Sequence, residues 1–209
     1  MSDPKRLVEE GYDAMAARLD EWQKEVSGSP RMRYLEQLLT LLPPEPDVLE
    51  LGCGAAVDST RILAERGSFT GVDISEAQIA LARKRLPQAT FIHADLSALA
   101  FAPRSFDAVV ALYVLLHIPR AELDPPLGRV ASWLRPGGLL LANTLVREGS
   151  EAVEQWLGMP MFFSGSDPAA DRTRIAEAGL ALLQEEVVAQ QDPEGELAFH
   201  WLLAQKPRV

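Results

Sequence analysis

The sequence predicts an α/β protein in which helices cover both faces of a largely parallel sheet. Short apolar runs alternate with segments of helical period along most of the 209 residues, the pattern of strands joined by crossover helices. One such run, Val48-Leu49-Glu50-Leu51, passes directly into the turn Gly52-Cys53-Gly54. Another, Ala108-Val109-Val110-Ala111-Leu112, is apolar without a break, as expected of a strand buried on both faces at the centre of a sheet.

The chain opens with helical spacing over residues 4–42. Leu7, Tyr12, Met15, Ala16, Leu19 and Trp22 share a face, Ser27-Gly28-Ser29-Pro30 interrupts, and a second helix carries Tyr34, Leu35, Leu38, Leu39 and Leu42 up to Pro43-Pro44 and Pro46; proline stops it by lacking an amide donor and fixing φ. So short a segment seldom holds a core of its own, so residues 1–45 are read as a helical appendage to a core of residues 46–209 in a single domain. Strands are expected at 47–51, 69–72, 90–94, 106–113 and 139–142, with helices at 58–66 and from Ser75 to Leu86. Ser75 and Gln78 are spaced as a capping box. Helical signal returns at 130–134, and Pro136-Gly137-Gly138 reads as a turn. Residues 150–166 form a connection rich in Met and aromatics, followed by a helix at 170–178. The runs 182–188 and 197–204, joined at Asp192-Pro193-Glu194-Gly195, read as an antiparallel hairpin.

Composition narrows the function. A formal net charge of -10 disfavours nucleic acid as a partner, because its binders present a basic face to the phosphates. No apolar run approaches the roughly 20 residues of a membrane helix, so no membrane is expected. The single cysteine, Cys53, allows neither an intrachain disulfide nor a multi-cysteine metal cluster, and fits a cytoplasmic location. No metal is expected, and a monomer or homodimer would suffice.

The glycine turn lies at the carboxyl end of the first strand, where open α/β sheets bind ligands. Asp73 ends the second strand about 20 residues on, the reach at which a carboxylate meets both hydroxyls of a ribose, and Asp95 ends the third. A nicotinamide dinucleotide is disfavoured, because Val57 stands where its fingerprint wants a third glycine and Glu50 would repel a pyrophosphate. S-adenosylmethionine, with an ammonium, a sulfonium and no phosphate, suits Glu50, Asp73 and Asp95.

Val48-Leu49-Glu50-Leu51-Gly52-Cys53-Gly54, Gly71-Val72-Asp73-Ile74-Ser75, Ala94-Asp95-Leu96, Phe106-Asp107-Ala108-Val109-Val110 and Leu134-Arg135-Pro136-Gly137-Gly138 together resemble the successive motifs of class I S-adenosylmethionine-dependent methyltransferases of the small-molecule type. The resemblance implies a Rossmann-like seven-stranded mixed sheet in the order 3-2-1-4-5-7-6, strand seven antiparallel, with helices on both faces and an N-terminal helical lid. It implies that Glu50, Gly52, Cys53 and Gly54 hold the methionine end, Asp73 the ribose, Ile74 one face of adenine, and Asp95 with Leu96 its edge. Leu112 is assigned to the cofactor. Tyr12-Asp13-Ala14-Met15-Ala16 is similar to the segment that closes over the cofactor in such enzymes. Ala56 stands where the family often has glycine, and Leu19 where it often has a second tyrosine.

The expected activity is methyl transfer to an oxygen or nitrogen of a small molecule, giving S-adenosylhomocysteine. The alternative is a non-catalytic subunit that binds the same cofactor. Trp22, Tyr113 and Met161 are assigned to the acceptor, the dense run from Trp156 to Phe163 forming an apolar lid with Tyr12 and Trp22. His117, just past strand four, is placed near the transferring methyl, as a general base or as a hydrogen-bond partner of a carboxylate. Cys53 has no paired base and is read as a small filler; His93 and His200 are read as structural. Asp124-Pro125-Pro126-Leu127 is read as a helix-breaking loop, its Leu127 replacing the aromatic needed to stack on a flipped base.

Overall fold

The computed structural model describes residues 3–147 and 151–208; Met1, Ser2 and Ser150, the first residue of the predicted connection, lie outside the described residues. Helices α1 (Pro4–Glu25) and α2 (Arg31–Leu41) precede the alternating core of β1 (Asp47–Leu51), α3 (Asp58–Ala64), β2 (Ser68–Asp73), α4 (Glu76–Arg85), β3 (Thr90–His93), β4 (Phe106–Ala111), α5 (Asp124–Trp133) and β5 (Leu134–Val146). The chain then forms β6 (Glu151–Trp156), β7 (Met159–Ser166), α6 (Pro168–Glu177), β8 (Ala181–Asp192) and β9 (Gly195–Gln205). Strands β1 to β5 pair in parallel in the order β3-β2-β1-β4-β5, and β9 continues the sheet antiparallel to β5, with β8 beyond it.

The expected order and its antiparallel strand are therefore present as β3-β2-β1-β4-β5-β9-β8, but the sheet has nine strands rather than seven. The two additional strands are β6 and β7, which lie in the predicted Met- and aromatic-rich connection. β7 pairs with Leu145 and Val146, beyond the last β4 partner Ala142, and so occupies an edge of β5 that β4 has left free. Two further expectations are corrected. Asp124-Pro125-Pro126 opens α5 instead of breaking a helix, since a proline in the first helical turn removes only an amide that has no intrahelical partner. Pro136-Gly137-Gly138 lies inside β5 as an irregularity between the pairs Phe106↔Leu134 and Ala108↔Leu139.

Packing follows the two faces of the sheet. Tyr34 and Leu38 of α2, Leu63 of α3 and Ile79 of α4 meet Val48, Val110 and Trp201 on one side, where the Tyr34 and Trp201 rings stack at 5.2 Å. Val130, Trp133 and Ile175 from α5 and α6 meet Leu49, Val109 and Leu140 on the other. A smaller cluster of Val8, Met15, Met161 and Phe162 fastens α1 to β7. Met15 and Met161 are both fully buried, each contributing about 1.5–3 kcal/mol. Gly11 lets the two elements approach closely here: a Cβ would lie 2.6 Å from Met161 Cε, the end of a flexible side chain that would have to move.

Candidate functional site

The carboxyl ends of β1, β2 and β4, the face of α1 and the β8–β9 turn enclose one cavity of about 600 Å³. Its floor is the glycine turn. Gly52 (φ +69°) and Gly54 (φ +52°) adopt the left-handed region, and a Cβ on Gly52 would meet Val114 at 2.7 Å, so glycine is needed there on both counts. Ala56 follows at φ 58°, a conformation costing an alanine roughly 1 kcal/mol, which gives the family's frequent glycine at this position a physical reason.

Asp73 closes the turn from β2. Its Oδ2 accepts the Gly54 amide at 2.8 Å and its Oδ1 the Ser75 amide at 2.9 Å. Burial raises its pKa despite those amides. Glu50, on β1, is 5% exposed; burial raises its pKa to about 7, and its Oε2 makes no hydrogen bond. Gln78 is fully buried on the same wall, and neither its Oε1 nor its Nε2 has a partner. Only half of the predicted capping box forms: Ser75 Oγ accepts the Gln78 amide at 3.1 Å, but the Ser75 amide is already bound to Asp73.

Asp95 and Leu96 border the far end. The Asp95 carboxylate is bound by the Ser97 amide at 2.7 Å, by the Ser97 hydroxyl and by Lys5 at 3.3 Å; burial opposes its charge, but these partners more than offset it and lower its pKa. Asp13 of α1 accepts from Ser75 Oγ at 2.6 Å and from the Ala77 amide at 3.0 Å, while Asp20 pairs with Arg85. The N-terminal helix is thus clasped to both ends of α4, at Ser75 and Ala77 and at Arg85.

His117 is buried beneath this helix. Its Nδ1–H donates to the Phe162 carbonyl over 2.9 Å, which leaves Nε2 to accept from Tyr12 Oη at 2.8 Å. Burial lowers its pKa to about 4. Of the two parts expected for His117, hydrogen bonding is what the geometry provides, although the partners are a phenol and a carbonyl rather than a carboxylate. A neutral imidazole with both nitrogens engaged is ill-suited to take a proton near pH 7.

Tyr12, Trp22, Cys53, Ile74, Leu112 and Tyr113 all line the cavity. Met161 does not: it is fully buried behind the wall, under α1, so its expected contact with an acceptor is replaced by packing against Gly11. Trp22 meets Trp156 edge-on at 5.1 Å and donates to Glu194 at 2.8 Å. His93, exposed beside β2, bonds the Ile74 carbonyl at 2.9 Å. Arg31 was not singled out from sequence. Its guanidinium lies 4.7 Å from the Tyr113 ring centre, close enough to Glu50 to favour that residue's charge, and among the described residues it has no carboxylate partner. Its position just after the predicted break, at the start of α2, was the only available signal. Among the described residues no group of His, Cys, Asp and Glu is arranged to hold a metal ion, and no helix is long and apolar enough to cross a membrane.

A parallel α/β sheet with an antiparallel strand after β5, a glycine turn backed by a strand-end aspartate, and a helical cover together make the fold of class I methyltransferases. Residues 48–138 match the family model described as "Methyltransferase domain". The chain is 39% identical over 115 residues to a trans-aconitate 2-methyltransferase of Variovorax paradoxus, covering 53% of this chain and 43% of that protein. It is 30% identical over 152 residues to a ubiquinone biosynthesis O-methyltransferase of Stutzerimonas stutzeri, covering 65% and 61% respectively. The chain thus spans about half the length of the curated relatives it matches. In fold it is similar to the Burkholderia thailandensis 1,6-didemethyltoxoflavin-N1-methyltransferase, a structure with bound 1,6-didemethyltoxoflavin and S-adenosylhomocysteine, with a TM-score of 0.75 and 18% identity over 99% of this chain and 92% of that one.

Proposed function

We propose that this chain transfers the methyl group of S-adenosylmethionine to an oxygen or nitrogen of a small molecule, releasing S-adenosylhomocysteine. The observation that carries the reading is the set of buried polar atoms left without partners around the glycine turn. Glu50 and Gln78 are among the residues that line one cavity with Asp73. Glu50 Oε2 and both polar side-chain atoms of Gln78 are buried without partners, and a buried polar group without a hydrogen bond costs about 1–3 kcal/mol. A ligand with an ammonium and ribose hydroxyls would satisfy them.

Glu50 takes the ammonium of the methionine moiety and Arg31 its carboxylate, so opposite charges of the protein meet opposite charges of one amino acid. Asp73 accepts from the ribose hydroxyls, and its two backbone hydrogen bonds keep the carboxylate oriented. Gln78, both donor and acceptor, completes the hydroxyl shell. Ile74 covers one face of adenine and Asp95 with Leu96 borders its edge, while Lys5 ties the first turn of α1 to that border. Leu112 and Cys53 supply apolar contact. The bound cofactor supplies an electrophilic methyl on a sulfonium. The chain's own part is to hold an acceptor lone pair in line with it and to exclude water. Tyr12, fixed by His117, closes the site from α1; Trp22 and Tyr113 line the acceptor side.

The test is to incubate the chain with S-adenosylmethionine labelled in its methyl group and a small-molecule extract, and to follow the label by mass spectrometry. The expected result is one labelled small molecule together with S-adenosylhomocysteine. Tight cofactor binding with no transfer across a broad acceptor panel would instead favour a non-catalytic binding subunit.

A further inference from the structure

The acceptor side of the cavity contains a directional chain of hydrogen bonds outside the cofactor assignments. The Arg31 amide donates to Ser29 Oγ at 3.3 Å. Ser29 Oγ lies 2.7 Å from Tyr113 Oη, Tyr113 Oη donates to Gln190 Oε1 at 2.8 Å, and Gln190 Nε2 donates to Asp192 Oδ1 at 2.8 Å. Because Tyr113 gives its only proton to Gln190, the bond to Ser29 runs from Ser29 to Tyr113. Every donor therefore points towards Asp192, and the chain is polarised to support negative charge at its end. The strained backbone of Tyr113, at φ 57°, is held by its amide bond to Asn143 at 2.6 Å, as expected of a residue whose placement is functional.

Asp192 ends this chain on the cavity wall at 5% exposure. Among the described residues its Oδ2 has no hydrogen bond and it has no cationic partner. Burial raises its pKa, a cost that a cation at the site would remove. The remaining cations of the cavity are engaged elsewhere: Lys5 with Asp95 and Glu122, Arg147 with Glu154 at 2.6 Å, and Arg31 over Tyr113. Glu194 and Glu196 add negative charge on the same turn. Beside them, with Trp22 donating to Glu194 at 2.8 Å, stand the rings of Trp22, Trp156 and Phe163, surfaces that favour both flat apolar bodies and cations.

We infer that the acceptor carries a protonated amine on a flat apolar body, with Asp192 binding the ammonium and the Trp22–Trp156 wall the body. This rests on the methyltransferase reading of the same cavity and goes beyond it in fixing the charge of the acceptor. A polycarboxylate is disfavoured, because it would face Asp192, Glu194 and Glu196 while Arg31, the cavity's cation without an ion-pair partner among the described residues, is assigned to the cofactor's own carboxylate.

The test uses the full chain with methyl-labelled S-adenosylmethionine and two acceptor pools. One holds arylalkylamines that carry a second nucleophilic atom (tyramine, octopamine, serotonin), because an ammonium held by Asp192 has no lone pair to take the methyl; the other holds polycarboxylates (trans-aconitate, citrate). Label is expected in the amine pool. Asp192→Asn should raise KM for the amine by about tenfold or more, the loss expected of a charge-assisted contact, with cofactor affinity and melting temperature retained. If Asp192→Asn does not fold, Glu196→Gln, on the exposed turn, should show a smaller rise in KM. Label in the polycarboxylate pool, a KM unchanged by substitution, or no label in either pool while calorimetry shows the cofactor bound would each overturn the inference. Absence of cofactor binding would overturn the methyltransferase reading itself.

Discussion

Tyr12 Oη donates to His117 Nε2 across 2.8 Å while His117 Nδ1–H is held by the Phe162 carbonyl, so one imidazole joins α1 to β7 above the candidate site. At pH 7 this imidazole is neutral and carries its proton on Nδ1. Nitrogen NMR should show that tautomer, titrating near pH 4. Because the folded pKa is depressed, acidification from the ordinary imidazole value of 6.5 towards 4 destabilises the fold. Tyr12→Phe, which leaves Nε2 buried without its donor, should cost about 1–2 kcal/mol in thermal or denaturant unfolding. Titration of His117 near pH 6.5 would contradict this account.

Glu50, if it holds the ammonium as proposed, should make cofactor binding pH-dependent. Its folded pKa of about 7 stands above the ordinary carboxylate value of 4.5, so between those values the folded chain holds a proton that the unfolded chain has lost. Stability therefore falls as pH rises through that window. Binding an ammonium requires the ionised form and expels the proton. Calorimetry at pH 6 in buffers of different ionisation enthalpy should show net proton release, with affinity rising by up to about tenfold per pH unit below 7. Glu50→Gln should abolish both effects.

Gln78 should show opposite effects on stability and binding. Gln78→Met keeps the volume and removes two buried polar atoms without partners, which should stabilise the free protein by about 1 kcal/mol. The same change should weaken S-adenosylmethionine binding by about tenfold. Loss of stability with unchanged affinity would show that the amide serves the fold alone.

The buried His200 tests the fold apart from the site. Nδ1 bonds Asp171 at 3.0 Å and Nε2 bonds Glu185 at 2.9 Å, which requires both nitrogens protonated. Burial opposes the charge, but the two carboxylates more than offset it and raise the pKa. The stabilisation is complete below the ordinary imidazole value and is lost as pH rises through the raised folded value. Asp171, whose pKa is lowered by His200, Ser166 and Thr144 against the effect of burial, loses its share as pH falls through its folded value. His200→Gln should cost about 1.5–3 kcal/mol, because it removes the cation hydrogen-bonded to the buried Asp171 and leaves Arg174, at 3.5 Å, as its only cation among the described residues. It should also flatten the alkaline fall in melting temperature.

The strand ends were legible because parallel strands buried on both faces are apolar and end abruptly, so that Glu50, Asp73 and Asp95 stand out by contrast. The β6–β7 hairpin was not. Its two-residue turn, Leu157-Gly158, takes positive φ at both positions (49° and 79°), a conformation usually announced by Asn-Gly or Asp-Gly rather than leucine. The functions proposed for Gln78 and Asp192 rest on distant pairings. The Gln78 side chain lost its capping partner to Asp73, and Asp192 depends on a bond between residues 77 apart, Tyr113 and Gln190. Met161, by contrast, was misplaced by proximity in sequence: Trp156 and Phe163 line the cavity, whereas Met161 packs under α1 against Val8 and Met15.

Calorimetric titration of the chain with S-adenosylmethionine and, in parallel, with a nicotinamide dinucleotide addresses the central claim most directly. Binding of the first alone is expected, and Asp73→Ala should weaken it by roughly 1–3 kcal/mol, the usual loss for charge-assisted hydrogen bonds. Binding of the dinucleotide without S-adenosylmethionine, or an affinity unchanged in Asp73→Ala, would contradict it.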